Sequence, residues 1–132
     1  KLRPEISTYW KVGYLYKGKK VMWLSSHDCR LGVNVLGTAA HEDHALINSR
    51  LEGESPEFQR QALIHVHRCD ACATTHLGVF VWVLGKKQRV CGAGEIAFRW
   101  YHPDEKAIDI AKQLIRFRMQ IIDELEQSKS EA

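Results

Sequence analysis

The sequence predicts an α+β fold, with a mostly antiparallel sheet of about five or six strands, helices packed on one face and a long C-terminal helix. Two observations lead to this fold class. Short apolar or alternating segments are separated by glycine-containing turns, and the C-terminal region carries apolar residues at spacings of three and four. The 132 residues are 45% hydrophobic and 27% charged, as in ordinary globular proteins. We therefore expect residues 1–132 to form a single domain.

The first part of the chain predicts three strands joined by short turns. Residues 12–16 and 21–24 flank a polar tetrad that contains a glycine, which is the pattern of a β-hairpin. Residues 30–35 then alternate between apolar and polar side chains. This alternation predicts one face toward the core, formed by Leu31, Val33 and Val35. The opposite face, with Arg30 and Asn34, is expected to face water.

Two helices are predicted next. Thr38 is placed to cap a first helix over residues 39–51, a stretch without proline or glycine. Ser55 and Pro56 predict the start of a second helix. Serine caps helix N-termini, and proline fits the first turn because its missing N–H has no helical partner there. We expect this second helix to end near His67 or Arg68.

The following segment predicts the centre of the sheet. Residues 79–84 form a continuous apolar run, which is typical of a strand buried on both faces. A turn is expected at residues 85–88. The last strand, residues 95–100, places Ile96, Phe98 and Trp100 on one face, because side chains alternate along a strand.

The C-terminal region predicts the longest helix, from Pro103 to about Gln127. Its acidic first turn suits the positive end of the helix dipole. Apolar residues recur along one face, at Ile108, Ala111, Ile115, Met119 and Ile122, and Leu114, Ile121 and Leu125 widen this stripe. We expect this stripe to pack directly against the strand of residues 79–84, with Ile108, Ile115 and Ile122 buried.

Two stretches resemble the YdhG/YobT-like domain family. The hairpin from Tyr16 through Gly18 to Leu24 looks like the Y-x-G-K-x-L-x-Y-F entry of that family. The stretch from Ile96 to Arg118 resembles the family's last strand and helix. The resemblance implies a small cytoplasmic bacterial protein of that fold, related to frataxin-like iron-binding chaperones, and it implies no catalytic residue. The chain departs from the family pattern at residues 63–91, where it carries cysteines and histidines that ordinary members lack.

The densest cluster of possible metal ligands lies in this departing segment. Cys69 and Cys72 form a Cys-x-x-Cys knuckle that can present two thiolates to one ion, and His76 follows four residues later. For the fourth ligand we prefer His67 to His65, which the predicted helix would direct away. The sequence therefore predicts a structural metal site, with zinc as the possible ion.

Two other interpretations of the cluster remain open. It can be a surface loop with free thiols and polar histidines, or a dithiol that cycles through a disulfide. Redox Cys-x-x-Cys motifs usually open a helix, whose N-terminus lowers the thiol pKa. Here the motif follows a predicted helix and precedes a strand, which disfavours thiol exchange.

Aromatic residues are the second group of candidates. Trp23, Trp82 and Trp100 lie in predicted strands, where they either form core or line an apolar ligand cleft on an uncovered sheet face.

The formal charge is +3, from 19 basic and 16 acidic residues. This surplus is too small to predict nucleic-acid binding unless it is concentrated in one patch. We therefore expect an unknown small molecule or protein as partner. Nucleic acid stays an alternative if the basic turns at residues 17–20 and 86–89 lie at the same end of the sheet, and no membrane partner is expected, since the longest apolar run is far below ~18 residues.

Together these features predict a non-enzymatic cytoplasmic binding domain with a structural metal in residues 69–76. No histidine, serine or cysteine arrangement forms a convincing nucleophile and base pair, so no catalytic residue is assigned. One alternative is a zinc-stabilised module that recognises nucleic acid or protein. Another is a small metal-handling, iron-chaperone-like protein, and a third is a small enzyme that uses histidine or cysteine chemistry. Four cysteines in a chain of this length favour a reducing compartment.

Overall fold

The computed structural model describes residues 9–27, 30–39, 43–68, 78–90 and 94–131, and within these ranges the fold is α+β, as predicted. The elements follow in the order β1 (Tyr9–Tyr16), β2 (Lys19–His27), β3 (Arg30–Thr38), α1 (His44–Glu52), α2 (Pro56–Ile64), β4 (Val79–Val83), β5 (Lys86–Val90), β6 (Ile96–Tyr101) and α3 (Glu105–Glu131). The strands form an antiparallel four-stranded sheet in the order β1-β2-β3-β6 and a separate two-stranded hairpin, β4-β5.

Both hairpins close through two-residue turns. Lys17 and Gly18 have φ values of 51° and 78°, and Leu84 and Gly85 have φ values of 51° and 75°. Two successive positive φ angles define the type I′ turn, whose twist matches that of antiparallel strands. The predicted first hairpin is confirmed. The predicted turn at residues 85–88 is wrong, because the turn lies at residues 84–85 and β5 begins at Lys86.

The first strand lies at the edge of the four-stranded sheet. Its pairing with β2 changes register between Tyr14 and Leu15, whose partners are Met22 and Lys20, so Val21 has no partner in β1. Side chains of Val12, Tyr14 and Leu15 are 45%, 48% and 66% exposed. The register change is a β-bulge in the second strand.

The core lies between one face of the four-stranded sheet and the helices. Ile96, Phe98 and Trp100 of β6 all point into it, which confirms their predicted common face. They contact a core cluster that also holds Val35 of β3 and Leu114 of α3. The helices therefore cover the inner face of the sheet.

The last helix packs against β3 and β2, so its predicted packing against residues 79–84 is wrong. Ile122 is buried, but Ile115 is only partly buried and Ile108 is 41% exposed. Leu114 and Ile121, which widen the predicted stripe, are buried, and so are Ile110 and Phe117. The buried face therefore includes the Phe117 ring, which the predicted stripe left out. None of the helices in the described ranges is both long and apolar enough to cross a bilayer.

The strand of residues 79–84 is not central, contrary to the prediction. It ends at Val83 and, among the described strands, pairs only with β5. Val81 and Val83 are buried, whereas Phe80 and Trp82 are 52% and 55% exposed. A continuous apolar run does not reveal whether both faces are covered, and here one face of the hairpin is open.

The start of the second helix is confirmed, whereas the start of the first helix and the end of the second differ from the prediction. Ser55 caps α2 as predicted, accepting a hydrogen bond from Phe58 N–H at 3.2 Å. The predicted cap Thr38 is instead the buried last residue of β3, and Asp43 caps α1. The second helix ends at Ile64, before the predicted end near His67 or Arg68. The reason is a backbone pairing of residues 65–67 with β6, in which each of two hydrogen bonds measures 2.8 Å.

The third strand corrects two further assignments. Asn34, predicted to face water, is 1% exposed because its amide is enclosed by hydrogen-bond partners on the outer sheet face. Leu31, predicted to face the core, is 39% exposed near the start of the strand. Val35 is buried and Val33 is partly buried against the core, as their shared face requires.

Polar contacts join the first hairpin to the last helix. Lys17 Nζ donates to Asp123 Oδ1 at 2.8 Å, and the Tyr16 hydroxyl donates to the same carboxylate at 3.1 Å. The hydrogen bond from Lys17 holds the pKa of Asp123 below its ordinary value. Both partners are exposed, so this pair adds little to stability. Nearby, buried Arg118 donates its Nε to the backbone carbonyl of Lys20 at 3.1 Å.

The buried face of α3 leads to a prediction about stability. Leu114 is fully buried, so Leu114→Ala should lower the free energy of unfolding by about 2–5 kcal/mol through lost burial and the cavity left behind. The control is Ile108→Ala on the exposed face of the same helix, which should change it by no more than about 0.5 kcal/mol. Urea denaturation measures both. Equal losses would contradict the assigned packing face.

Candidate functional site

The open face of the β4-β5 hairpin carries two aromatic rings and two cations. Phe80 is paired with Arg89, and Trp82 with Lys87, so the four side chains emerge on the same side of the hairpin. The Lys87 ammonium lies 4.2 Å from the centroid of the Phe80 ring, within the range of a cation–π interaction. We call the surface formed by Phe80, Trp82, Lys87 and Arg89 the hairpin face.

The first helix holds the hairpin in place through Asn48. The side-chain amide of Asn48 donates to the carbonyl oxygen of Trp82 at 3.0 Å, and its Oδ1 accepts from the Leu84 N–H at 2.7 Å. On the other strand, Gln88 accepts a hydrogen bond of 2.6 Å from Arg68 Nε. With Val81 and Val83 buried in the core, these bonds present the hairpin face on a fixed support.

Charge is segregated between strands and helices in the described ranges. The six strands together contain eight lysine and arginine residues and no aspartate or glutamate. On the helical side several cations form ion pairs: Arg50 with Glu124, Arg60 and Lys106 with Glu57, and Lys17, from the first turn, with Asp123. The small overall surplus of positive charge is therefore concentrated on the strands.

A second cationic cluster lies on the outer face of the four-stranded sheet, around Tyr101. Arg30 and Arg99 have their guanidinium carbons 4.3 Å and 5.9 Å from the centroid of the Tyr101 ring. Arg99 also donates from Nε to Asn34 Oδ1 and from Nη1 to the Tyr101 hydroxyl, the latter at 3.3 Å. Further along the same face, Lys11 and Lys20 lie 5.1 Å and 5.0 Å from the ring of Trp23.

The three tryptophans assigned to a ligand cleft lie on different surfaces. Trp82 belongs to the hairpin face and is 55% exposed. Trp23 is 7% exposed on the outer sheet face beneath its two lysines. Trp100 is 3% exposed on the inner face and stacks on the His65 ring, with centroids 4.9 Å apart. Of the three, Trp82 offers the most surface to a ligand.

Most of the predicted metal site lies outside the described residues. Cys69, Cys72 and His76 fall in residues 69–77, and only His67 is described. The backbone N–H of His67 donates to the Ala97 carbonyl at 2.8 Å, which ties this residue to β6. Within the ranges that the structure describes, no group of three histidine, cysteine or acidic side chains is placed to hold a metal. The zinc site stays a prediction.

Sequence reasoning did not identify the hairpin face as a unit. Placing the turn at residues 85–88 removed Lys87 from the strand and from its position opposite Trp82. The signal that could have found it is the pair Leu84-Gly85 followed by the alternating series Lys87, Arg89, since a glycine in the second turn position fits a two-residue hairpin loop. The cluster around Tyr101 depends on pairing between β3 and β6, which are distant in sequence.

The support of the hairpin face is testable through Asn48. Asn48→Ala removes both bonds and leaves the Leu84 N–H without its partner, so it should lower the free energy of unfolding by about 1–3 kcal/mol. Amide exchange of Leu84 should accelerate, because the hairpin opens more readily. The exposed neighbour Ser49 provides the matched control, Ser49→Ala. Unchanged exchange at Leu84 would show that Asn48 does not hold the hairpin.

Comparison with protein-family models, with curated proteins and with solved structures finds no match for this chain. The resemblance to the YdhG/YobT-like family therefore stays a prediction. The function has to be inferred from the side chains that the fold presents to solvent.

Proposed function

We propose that this protein is a non-enzymatic binding domain and that its hairpin face binds single-stranded nucleic acid. The observation that carries the proposal is the exposure of two aromatic rings, Phe80 and Trp82, beside Lys87 and Arg89 on a rigidly supported hairpin. Aromatic rings that stack on bases, next to cations that attract the phosphate backbone, are the shared features of single-strand binding surfaces.

The geometry favours a single strand over a duplex. Phe80 and Trp82 are two residues apart on one strand, which separates their positions by about 6.6 Å at the usual strand rise. Bases can stack on such rings only when their faces are free, and a duplex hides those faces. Each stacked base contributes about 1–3 kcal/mol to binding. None of the four side chains of the hairpin face is an amide or a carboxylate, and its two cations are expected to contact phosphates, so little sequence preference is expected.

The location of the basic residues supports a nucleic-acid ligand, although the net charge of the chain does not. The net charge of +3 alone disfavours such a partner, because a field that attracts phosphate requires a concentrated patch. The described strands hold eight basic and no acidic residues, and two of the basic residues, Lys87 and Arg89, lie beside Phe80 and Trp82 on the hairpin face.

A membrane surface is the main rival ligand for exposed aromatic and basic residues. Membrane-binding hairpins carry apolar side chains at the tip, where they can enter the lipid, and cations at the edge. Here the tip residue Leu84 is partly buried against the core, and Lys87 lies over the Phe80 ring itself. These contacts place a charge on the Phe80 ring and leave Trp82 as the more open ring, which suits a stacked base with a neighbouring phosphate better than lipid insertion.

The test is the binding of fluorescein-labelled oligothymidylate, followed by fluorescence anisotropy. Trp82→Ala should raise the dissociation constant about 5- to 150-fold, because it removes one stacking partner worth about 1–3 kcal/mol. The matched control is Tyr14→Ala, which removes an aromatic ring of similar exposure, 48%, from a different strand. Lys87→Gln should reduce the slope of log K against log salt by about 0.7.

Three outcomes would overturn this assignment. The first is an affinity that Trp82→Ala leaves unchanged, and the second is an equal loss in Tyr14→Ala. The third is Trp82-dependent binding to vesicles of anionic lipid with no binding of the oligonucleotide, which would assign the hairpin face to a membrane. Preferential binding of duplex over single strand would also contradict stacking.

We also propose that Cys69, Cys72, His76 and His67 bind one structural zinc ion. The support is the Cys-x-x-Cys-x-x-x-His spacing and the anchored backbone of His67 at the start of the segment. A closed set of four ligands would order the segment between α2 and β4 without activating water. Zinc-binding thiolates of this kind persist in a reducing compartment such as the cytoplasm.

The metal proposal predicts about one equivalent of zinc in protein purified without added metal. Cys72→Ser should abolish stoichiometric binding and lower the melting temperature, while Cys29→Ser should leave the zinc content unchanged. Elemental analysis and thermal denaturation measure both effects. Folded, metal-free protein with four equally reactive thiols would contradict the proposal, and stoichiometric iron in place of zinc would favour the metal-handling alternative.

A further inference from the structure

We propose that a groove between α2 and α3 binds a small organic amine with an apolar body. The groove shares no residue with the hairpin face, and the proposal does not depend on the function proposed for that face. Its basis is a cavity of suitable size with an apolar floor, together with two carboxylates on its rim that form no ion pair within the described ranges.

The groove lies where the first turn of α2 runs beside the N-terminal half of α3. It has a volume of about 340 Å³, and its described lining comes from the stretch between Glu54 and Phe58 and from the stretch between Lys106 and Arg116. The lining residues of α3 are one or three positions apart, so they share one face of the helix. Small-molecule sites in proteins occupy about 300–1,000 Å³, and a volume near the lower limit suits a compact ligand.

Two apolar side chains form the floor of the groove. Phe58 and Ile110 are buried, whereas the charged residues that line the groove with them are partly or fully exposed and form its rim. The Phe58 ring contacts the Phe117 ring in the core, with centroids 6.3 Å apart, and this contact supports the floor from below. An apolar ligand body that covers the floor leaves water, and this transfer is favourable in proportion to the apolar area buried.

One carboxylate on the rim is already paired with cations of the protein. Glu57 accepts a hydrogen bond of 2.9 Å from Arg60 and pairs with Lys106 at 3.5 Å. The hydrogen bond from Arg60 holds the pKa of Glu57 below its ordinary value, so this carboxylate stays ionised beside its own cations. Lys106 is thus engaged with Glu57, although it lies only three residues before Asp109 in α3.

The other two carboxylates on the rim, Glu54 and Asp109, have no cation of their own. Neither forms an ion pair or a side-chain hydrogen bond with the described residues. The remaining cation of the lining, Arg116, donates to Gln113 at 2.9 Å and lies seven residues beyond Asp109, which is about 10.5 Å along the helix axis. Two uncompensated carboxylates beside an apolar floor attract a ligand that carries a positive charge next to an apolar body.

A small organic amine is the ligand that this arrangement fits best. Its ammonium group would lie beside Glu54 and Asp109, where each contact is a charge-assisted hydrogen bond, and its apolar body would cover Phe58 and Ile110. An anionic ligand is repelled by the two carboxylates, and a neutral ligand leaves them without a cation. Arg116 repels the ammonium group from the far end of the groove, so the ligand is held in one orientation.

The test compares two probes that have the same ring and opposite charges, phenethylamine and phenylpropionate. Each is titrated into the nitrogen-15-labelled whole protein at neutral pH and constant ionic strength, and amide chemical shifts are followed by NMR. The amides of Phe58 and Ile110 should shift, and phenethylamine should bind more tightly. Asp109→Asn and Glu54→Gln should each weaken its binding about two- to fivefold, which is the effect of one exposed ion pair. The matched control is Glu105→Gln, which removes an exposed carboxylate of α3 outside the groove.

The double variant with Glu54→Gln and Asp109→Asn should lose the preference for the amine, while the aromatic ring of either probe still covers the floor. Trp82→Ala should bind phenethylamine as the unmodified protein does, which separates the groove from the hairpin face. Equal affinities of the two probes for the unmodified protein, or binding of neither, would overturn the proposal. So would shift changes confined to residues outside the groove, or an equal loss in Glu105→Gln.

Discussion

Alternation of side chains along β6 is the constraint on which both the core and the outer surface depend. Ile96, Phe98 and Trp100 point inward and pack under the last helix, which obliges Ala97, Arg99 and Tyr101 to point outward. Side chains alternate along a strand with a period of two residues. A shift that turned the three inward side chains outward would therefore turn the three outward side chains inward. The same six residues therefore complete the core and supply the arginine and tyrosine of the outer face.

Charge segregation follows from this layered arrangement. The helices cover the inner face of the sheet, and their acidic side chains form ion pairs with cations of the helical side, such as Arg50 and Arg60. The strands offer no carboxylate to their own cations within the described ranges. Arg30 and Lys87 consequently rest on aromatic rings, where the negative face of the ring partly compensates the charge. These contacts are weaker than ion pairs and leave the cations available to an anion.

Local signals in the sequence predicted the local structure well. The first hairpin, the Ser55 cap, the common face of Ile96, Phe98 and Trp100, and the long last helix are all found. Predictions that depended on contacts between residues distant in the sequence were wrong. The apolar run at residues 79–84 looks the same whether one or both faces are covered, and the wide apolar stripe of α3 does not show which of its edges packs into the core.

The candidate site shows the same division between local and distant information. Trp82 was one of three tryptophans predicted either to form core or to line an apolar cleft, and its strand was expected to be buried on both faces. Its neighbour Lys87 required the true position of the turn. Asn34 was expected to face water because asparagine is polar. Its burial depends on Arg99, which lies 65 positions away in the chain and cannot be paired with it by periodicity.

The edge position of β1 carries a hazard that the bulge in β2 reduces. An edge strand with exposed Val12 and Leu15 offers free N–H and C=O groups to a second chain, which is how sheets extend into fibres. The unpaired Val21 increases the local twist and breaks the even spacing that an incoming strand would need. Lys11 adds a charge along the same edge. The irregularity in the hairpin thus makes this edge a poorer template for a second copy of the sheet.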